Sequence, residues 1–333
     1  MGKSTIEARV LEESEYSVWD ELVENSVQGT IFHTSDWLGL CSESFKAEPK
    51  IFGCFNDKNE LMCGCSLFIY KSKGIFKNAI STSVMTPYGG FVLRPSNSTK
   101  IRKMEEDYFL CIHSLEKLIR NQKYLSTIIT NSPDILDVRP LTWNRWISRV
   151  FYTYYLDLNS FDLNNASREI KREITRATKS GISLQSIRNA EIHNTLFQKV
   201  FERQNLLPPA DITAFNKVIE HINRNKIGDM WIAKNQYDEI IGSQIWLWDT
   251  KRAYIWSVAS DPDFRNSGVN IFSVYTILQE LCSKGFGEVN MMQGNIPNLA
   301  EFAAKFNPKL VPYYSVENYS SIIELAMKIR RKF

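Results

Sequence analysis

The sequence predicts an α/β protein with mixed sheets, built from two copies of one arrangement of strands and helices. Three observations support this fold class. The chain has 333 residues, a length that favours two domains of ordinary size over one. Segments with strand-like and helix-like patterns alternate along it. The order of these segments in the second half repeats the order in the first, although the halves share little residue identity.

The first half begins with a predicted strand, EARVLE, followed by a helix over residues 15–25. A second helix, SDWLGLCSESF, has Ser35 as its expected N-cap. A long helix over residues 100–120 and the strand LSTIIT close this half. Between them we expect three strands, which are KIFGCF, LMCGCSLFIYK and TPYGGFVL.

The second half starts with the strand SLQSI and a helix over residues 190–206, which Pro208 and Pro209 end. Asp211 is a suitable N-cap for a second helix that runs to about residue 225. Tight turns then separate three strands, an arrangement typical of an antiparallel meander. These strands are DMWIAK, EIIGSQIWLW and RAYIWSVAS.

The rest of the second half is predicted as helix, strand, helix and strand. The helix follows Gly268 and ends at Gly285. The later segments are GEVNMM, NLAEFAAKF and KLVPYYSV. The halves are expected to meet near residues 151–165, which gives an N-terminal domain over 1–158 and a C-terminal domain over 159–333.

The composition excludes several classes of protein. Hydrophobic residues make up 44% and charged residues 23% of the chain, as in ordinary globular proteins. We expect no secretion signal and no membrane span, because no apolar run has the required length. A cytoplasmic location follows as the prediction. The net charge of +3 is too small to indicate nucleic-acid binding by itself.

The cysteines and histidines predict no metal site. None of the six cysteines forms a CxxC pair, and the four histidines lie far apart in the sequence. The thiols are interpreted as reduced, buried residues. Cys63 and Cys65 are expected on opposite sides of one strand.

Five segments along the chain form a recognisable series. In order, they are IFHTSDWL, TPYGGFVL, REIKREITRATKSGISL, SDPDFRNSGVNIF and MMQGN…FAAKFNPKLV. The series resembles the FemAB-like family, a group of duplicated GNAT-fold acyltransferases that includes the peptidoglycan-bridge aminoacyltransferases. The resemblance implies two tandem GNAT-like domains, with the acceptor side in residues 1–158 and the acyl-donor site in residues 159–333. It also implies that no cofactor is tightly bound and that acyl-CoA or aminoacyl-tRNA is the co-substrate.

Arg265 and Gly268 stand just before a predicted helix, where unpaired N–H groups and the helix dipole suit an anion. An ordinary β-to-α turn is the alternative interpretation. The resemblance favours a cradle for the pyrophosphate of CoA or a phosphate of tRNA. It implies donor binding by Ser257, Val258, Ala259, Arg265, Asn266, Ser267, Gly268, Val269 and Asn270.

The segment REIKREITRATKSG predicts an amphipathic helix with one basic face, which consists of Arg168, Arg172, Arg176 and Lys179. Such a face can be merely solvated, or it can hold a phosphorylated acceptor such as a sugar or a peptidoglycan-like precursor. The acceptor hypothesis assigns Arg168 and Arg172, together with Tyr88 and Gly89 from a predicted strand, to this substrate. A plain bulge is the alternative for the glycine pair.

The expected reaction is direct attack by an amine on the activated acyl group. Backbone N–H groups at a bulge near Val258 or Ala259 polarise the carbonyl, and Lys305, Gln293 and Asn290 orient the acceptor. The location is then cytoplasmic, close to the membrane where the acceptor is lipid-linked.

Two departures from the family pattern support a second hypothesis. Phe302 and Ala303 stand where the family commonly has a tyrosine and a lysine. The chain is then a catalytically inactive binding or scaffold protein with the same fold. Nucleic-acid binding through the basic helix is a third hypothesis.

Overall fold

The computed structural model describes residues 6–45, 47–72 and 76–323, without the side chains of Phe45, Ser72 and Gln293. The chain forms two compact units. The first comprises Met1–Phe151 and Pro312–Phe333, and the second comprises Tyr152–Val311. The predicted division into functional domains at residue 158 stays a prediction, because a compact unit and a functional domain need not coincide.

The described residues contain strands β1–β13 and α-helices α1–α9, numbered in chain order. The strands are β1 (Glu7–Val10), β2 (Glu48–Phe55), β3 (Leu61–Ser72), β4 (Phe76–Ile80), β5 (Gly90–Leu93), β6 (Ser126–Thr130), β7 (Ile147–Asp157), β8 (Ser183–Ser186), β9 (Gly228–Lys234), β10 (Ile240–Trp248), β11 (Ala253–Ser260), β12 (Glu288–Gln293) and β13 (Lys309–Tyr319). The helices are α1 (Tyr16–Asn25), α2 (Ser35–Phe45), α3 (Ile101–Asn121), α4 (Arg139–Trp143), α5 (Arg168–Lys179), α6 (Ala190–Glu202), α7 (Ile212–Asn225), α8 (Val269–Ser283) and α9 (Pro297–Ala304).

The first unit has a mixed sheet with the strand order β1-β2-β3-β4-β6-β13. Only β4 and β6 are parallel among these neighbours. β5 pairs with the part of β3 that precedes the residues paired with β4, so β4 and β5 share one edge of that strand. β13 contributes its residues 315–319 to this sheet by pairing with β6.

The second unit has a mixed sheet with the order β7-β12-β11-β10-β9-β8. The pair β11/β12 is parallel and the other neighbours are antiparallel. Buried side chains of α8 pack on one face of this sheet, together with Trp246, Ile255 and Val289. β7 contributes its residues 153–157 by pairing with β12.

The predicted fold class is confirmed, and so is the repeated order of elements. The series β1-α1-α2-β2-β3-β4-α3-β6-α4-β7 corresponds to β8-α6-α7-β9-β10-β11-α8-β12-α9-β13, with β5 as an addition in the first series. Asp211 caps α7 as expected, since its carboxylate accepts the N–H of Ala214 at 3.1 Å. In the described residues, no helix combines the length and the apolar composition that a membrane crossing requires.

Three details of the first half were predicted wrongly. Thr34 caps α2 instead of Ser35, because the Thr34 hydroxyl accepts the N–H of Trp37 at 3.3 Å. Tyr88 and Gly89 precede β5, which begins only at Gly90. β4 was missed because its sequence, FKNAI, has a single buried residue, Ala79, and therefore shows no clear alternation.

The cysteines of the first unit correct another expectation. Cys63 and Cys65 are both buried in one apolar cluster between the sheet and α3. Residues two apart on a strand share a face, so the prediction of opposite sides was wrong. Cys54 and Cys111 belong to the same cluster.

Candidate functional site

An opening lies between the neighbouring parallel strands β11 and β12 of the second unit. Only Ala253–Val289 and Tyr254–Asn290 are paired, although the strands continue to Ser260 and Gln293. Beyond Tyr254 the described residues give this edge of β11 no strand partner. A strand edge that continues past its neighbour, at the carboxyl ends of two parallel strands, is a place where an extended ligand can bind.

A β-bulge in each strand explains why the pair separates. In β11 the register against β10 skips Trp256, and in β12 the register against β7 skips Met291. An extra residue bends its strand and increases the local twist. Asn290 holds the second bulge, because its side-chain oxygen accepts the N–H of Met292 at 2.8 Å and the hydroxyl of Thr153 at 2.7 Å.

The turn after β11 is fixed by its own side chains. The Asp261 carboxylate accepts the N–H of Asp263 at 3.0 Å and the ammonium group of Lys199 at 2.7 Å. The hydrogen bond from Lys199 lowers the pKa of Asp261. The Ser267 hydroxyl donates to the carbonyl of Phe264 at 2.6 Å and accepts the N–H of Val269 at 3.3 Å.

Gly268 turns the chain into α8 with a left-handed backbone conformation, at φ 85°, which glycine adopts without steric cost. The first intrahelical bond runs from the N–H of Phe272 to the carbonyl of Gly268. The N–H groups of Asn270 and Ile271 lie in the first turn and have no acceptor among the described residues. N–H groups in this position are suited to an anion, and they lie next to the opening between the strands.

Helix α5 packs directly on this turn through Glu173 and Arg176. A Cβ atom on Gly268 would lie 2.7 Å from the carbonyl oxygen of Glu173 and 3.2 Å from its carboxylate. Arg176 pairs with the same carboxylate at 2.8 Å and donates to the carbonyl of Asn266 at 2.9 Å. The basic helix therefore lies beside the predicted donor loop.

The exposed side of α5 borders a shallow depression of about 520 Å³, which is lined by basic residues and lies beside the contact of Arg176 with the turn. We call this depression the α5 patch. Arg265 is exposed on the turn itself, and Arg168 is exposed at the start of the helix, outside the patch. The predicted basic face is thus only partly the face that the structure forms. The residues around the patch are Lys171, Arg172, Thr175, Arg176, Lys179 and Ser180.

The Ser257 side chain faces helix α6. Its hydroxyl lies 2.8 Å from Nε2 of His193, whose Nδ1 lies 2.8 Å from the hydroxyl of Ser243. Burial lowers the pKa of His193 to about 3, so this imidazole is neutral at neutral pH. Only the backbone of Ser257 is left for a donor. Val258 packs against the apolar cluster under α8, and Ala259 is buried.

The three predicted catalytic residues differ in their surroundings. Lys305 follows the end of α9, and its ammonium group donates to Glu169 at 2.8 Å. Asn290 is fully buried at the bulge, where it acts on the shape of the strand. The Gln293 side chain lies outside the described residues. Their catalytic role stays a prediction.

The two departures in α9 also have a physical basis. Ala303 is buried in the apolar cluster beneath the helix, where a lysine ammonium group would lose its water. Phe302 packs against that cluster and lies 5.7 Å from Phe306, measured between ring centroids.

Tyr88 and Gly89 belong to the first unit. Tyr88 is buried, in edge-to-face contact with Phe32 and Tyr313. A Cβ atom on Gly89 would lie 2.5 Å from the carbonyl oxygen of Ser81. Packing within the unit accounts for both residues, and their acceptor-binding role stays a prediction.

Sequence reasoning missed Glu173 and His193 as residues of this region. A signal for Glu173 was available, because it shares the buried stripe of α5 with Ile170 and Ala177. A carboxylate on an apolar stripe needs a buried partner, which indicates a contact with another element. The same signal was available for His193, which shares the buried stripe of α6 with Ala190 and Phe197.

Comparisons with known proteins identify a matching domain family and similar folds. Residues 164–298 match the model of the acetyltransferase (GNAT) domain family. No curated protein sequence matches the chain significantly. Among solved structures, FemX is 12% identical, with a TM-score of 0.67, over 92% of this chain and 96% of that one.

Two further structures cover nearly the whole chain. The C-terminal domain of a putative lysylphosphatidylglycerol synthetase from Agrobacterium fabrum is 13% identical, with a TM-score of 0.59 and 95% of each chain covered. A tandem GNAT protein from the clavulanic acid biosynthesis pathway is 9% identical, with a TM-score of 0.55, over 94% of this chain and 98% of that one.

Residues 164–298 therefore match the GNAT acetyltransferase domain family, and the whole chain shares its fold with FemX and with a tandem GNAT protein. The resemblance seen in the five sequence segments is confirmed at this level. Acyl transfer is the general reaction of this class of domain.

Proposed function

We propose that the protein transfers an acyl or aminoacyl group from a phosphate-bearing donor, acyl-CoA or aminoacyl-tRNA, to an amine. The observation that carries this proposal is the opening between β11 and β12, which adjoins the N-terminus of α8. An extended arm with an activated carbonyl fits a backbone edge, and its phosphate fits the free N–H groups of a helix.

The phosphates of the donor bind at two adjacent places in this proposal. The N–H groups of Asn270 and Ile271 receive the first anion, and Arg265 adds a charge-assisted bond. The cations around the α5 patch receive the remaining phosphates. Arg172 thereby serves the donor instead of the acceptor, since its helix packs on the donor loop.

The chemistry needs no covalent enzyme intermediate. The lone pair of the amine attacks the carbonyl carbon, an amide C–N bond forms, and the C–S bond of CoA or the C–O bond of tRNA breaks. The proton of the amine ends on the leaving thiolate or ribose oxygen. Backbone N–H groups near Val258 and Ala259 stabilise the oxyanion, and Lys305 and Gln293 orient the amine. Asn290 acts as a positioning residue by shaping β12.

The acceptor that we propose is an amine on a phosphorylated sugar or a peptidoglycan-like precursor. Arg168 is exposed at the start of α5 and is the remaining candidate for its phosphate. Tyr88 and Gly89 remain candidates from the first unit. A screen of amine acceptors with the donor held constant tests this part separately.

The donor site is tested by thermal unfolding with acetyl-CoA, longer acyl-CoAs, free CoA and charged tRNA. A ligand at 100 times its Kd adds about 2.7 kcal/mol to the free energy of unfolding and raises Tm. Arg265→Ala should lose most of this increase. Arg224→Ala is the matched control. Arg224 is an exposed arginine in the last turn of α7. This turn lies far from the donor loop, because the nearby Lys226 carbonyl accepts a hydrogen bond from Trp248 at the opposite end of the sheet.

The outcomes separate the donors. An increase with CoA compounds that Arg265→Ala abolishes supports acyl-CoA, and an increase with charged tRNA alone supports aminoacyl transfer. Equal loss in Arg265→Ala and Arg224→Ala would contradict the proposed cradle.

A second candidate function is binding without catalysis. The specific observation is α9, where Ala303 is buried and the Lys305 ammonium group is engaged by Glu169. Donor binding without turnover of any amine, and unchanged by Lys305→Ala, would favour this alternative.

A further inference from the structure

The first unit contains a cluster of three buried cysteines from three different elements. Cys54 lies on β2, Cys63 on β3 and Cys111 on α3. Their three sulfur atoms all lie within 4.8 Å of one another. This cluster lies outside the second unit, which contains the candidate donor site.

The pairing of the strands brings two of the thiols together. Cys54 and Cys63 are direct partners in the antiparallel pair β2/β3, so their side chains leave the sheet on the same face. α3 packs on that face and places Cys111 over the pair. The arrangement is therefore set by backbone register and helix packing.

The surroundings of the three thiols are apolar and include Phe52, Ile112 and Leu115. The side chain of Ser114 lies within hydrogen-bond reach of Cys54. A thiolate buried among such side chains would carry a charge that a bound cation compensates.

We propose that Cys54, Cys63 and Cys111 form a binding site for a thiophilic d10 cation, Zn²⁺ or Cu⁺. Sulfur ligands at about 2.3 Å from such an ion lie about 3.8–4.0 Å apart, so the thiols need to move inward by less than about 1 Å. Three thiolates complete a trigonal Cu⁺ site. Zn²⁺ takes a fourth ligand, for which the Ser114 hydroxyl or a water molecule is suited.

The cluster also has a route to solvent. Cys111 lines a cavity of about 950 Å³ beside α3, and Met62, Tyr108 and Arg139 are among the other lining residues. An ion can reach the sulfur atoms from this side without opening of the sheet, and a water ligand can be supplied from it.

The test uses the reduced full-length chain with Cys282→Ser, because Cys282 is exposed and would bind metal by itself. Zn²⁺ and Cu⁺ are added separately, free ion is removed, and bound metal is counted per chain by elemental analysis. One ion per chain is expected. Co²⁺ added in place of Zn²⁺ should give the intense absorption of sulfur-to-cobalt charge transfer.

Cys63→Ser and Cys111→Ala should each weaken binding at least tenfold. Cys65→Ser is the matched control, because Cys65 lies on the same strand as Cys63 and is fully buried, but is not one of the three thiols that lie close together. Its affinity for the ion should be unchanged.

Three results would overturn the proposal. The first is that the Cys282→Ser parent binds neither ion. The second is that Cys63→Ser keeps its ion. The third is that the parent, purified without reductant, has a mass two hydrogens below that of the reduced chain, which indicates a disulfide. If the variants unfold, the parent alone still decides. The ion must then raise its Tm and protect the three cluster thiols, and not Cys65, from alkylation.

Discussion

The carboxylate of Glu173 lies beside Gly268, the residue that precedes α8, and is therefore close to the proposed donor site. Its charge is favourable there because of the helix dipole, and Arg176 compensates it at 2.8 Å. The chain thus supplies its own anion to this end of the helix, and the same carboxylate opposes a second anion.

Replacing that carboxylate should strengthen donor binding. Glu173→Gln keeps the size of the side chain, removes the negative charge and leaves Arg176 available to a phosphate. The affinity for CoA should rise about two- to fivefold, the value of one charge near a helix N-terminus. Titration calorimetry at low salt measures this, with Glu191→Gln in the first turn of α6 as the control. Weaker binding by Glu173→Gln would show that the carboxylate organises the loop instead.

His193 should make the second unit sensitive to acid. Burial lowers its pKa to about 3 in the folded protein, whereas the unfolded chain binds a proton near pH 6.5. Between these values the unfolded state holds the extra proton, so the free energy of unfolding falls as the pH falls. The decrease from this residue is at most about 1.4 kcal/mol per pH unit.

Urea unfolding at pH 7, 6 and 5 measures this contribution. His193→Gln should be less stable than the parent at pH 7 and should lose less stability towards pH 5. His113→Gln is the control, because His113 is exposed. Parallel pH dependence in the parent and His193→Gln would contradict the buried neutral imidazole.

At the scale of elements, the two bulges in β11 and β12 determine the opening of the site. A bulge was expected near Val258 or Ala259, and the structure has it at Trp256. The bulge at Met291 was not expected, because a bulge depends on the register between strands that are far apart in the chain. Caps, turns and the antiparallel meander were predictable, since Asp211, Gly268 and Gly285 act over a few residues. The loop at 265–270 was found for the same reason, but its contact with α5 was not.

The hydrogen bonds of Asn290 should be needed for the opening. Asn290→Ala leaves the buried Thr153 hydroxyl and the Met292 N–H without this acceptor, and should cost about 2–4 kcal/mol of stability. Thr153→Val removes one donor and should cost about 1 kcal/mol. Urea unfolding of both variants and the double variant gives their coupling. The affinity for the donor should fall in Asn290→Ala and stay unchanged in Thr153→Val. Equal affinity in the two variants would show that donor binding does not depend on the bulge.

At the scale of the whole molecule, the charge is balanced, with 40 basic and 37 acidic residues. The overall charge therefore gives little attraction to nucleic acid, and the local cations of α5 would have to supply it. This distinguishes the two donors by their response to salt.

Binding of charged tRNA should depend steeply on salt if the α5 patch holds its phosphates. Each phosphate contact contributes about 0.7–0.9 to the slope of log K against log salt, so four cations give a slope of about −3. Lys179→Ala should make the slope shallower by about one. A tRNA slope that Lys179→Ala leaves unchanged would place the phosphates elsewhere, and CoA should show a shallower dependence throughout.

The duplicated order of elements was predictable from the sequence, whereas the assignment of the last strands was not. In the chain, β7 precedes the second series, yet its residues 153–157 pair with β12 in the second unit. β13 ends the second series, yet its residues 315–319 pair with β6 in the first unit. Local patterns identify a strand but carry no information about its distant partner.

This pairing has a consequence for the inheritance of the two halves. A recombination event that joins residues 1–158 to the second half of a homologue also replaces the strand that completes the sheet around β6. The incoming β13 must then match the old β6 in length and side-chain pattern, although the two come from different parents. A change in residues 126–130 must therefore stay compatible with residues 315–319, and the two copies cannot diverge independently.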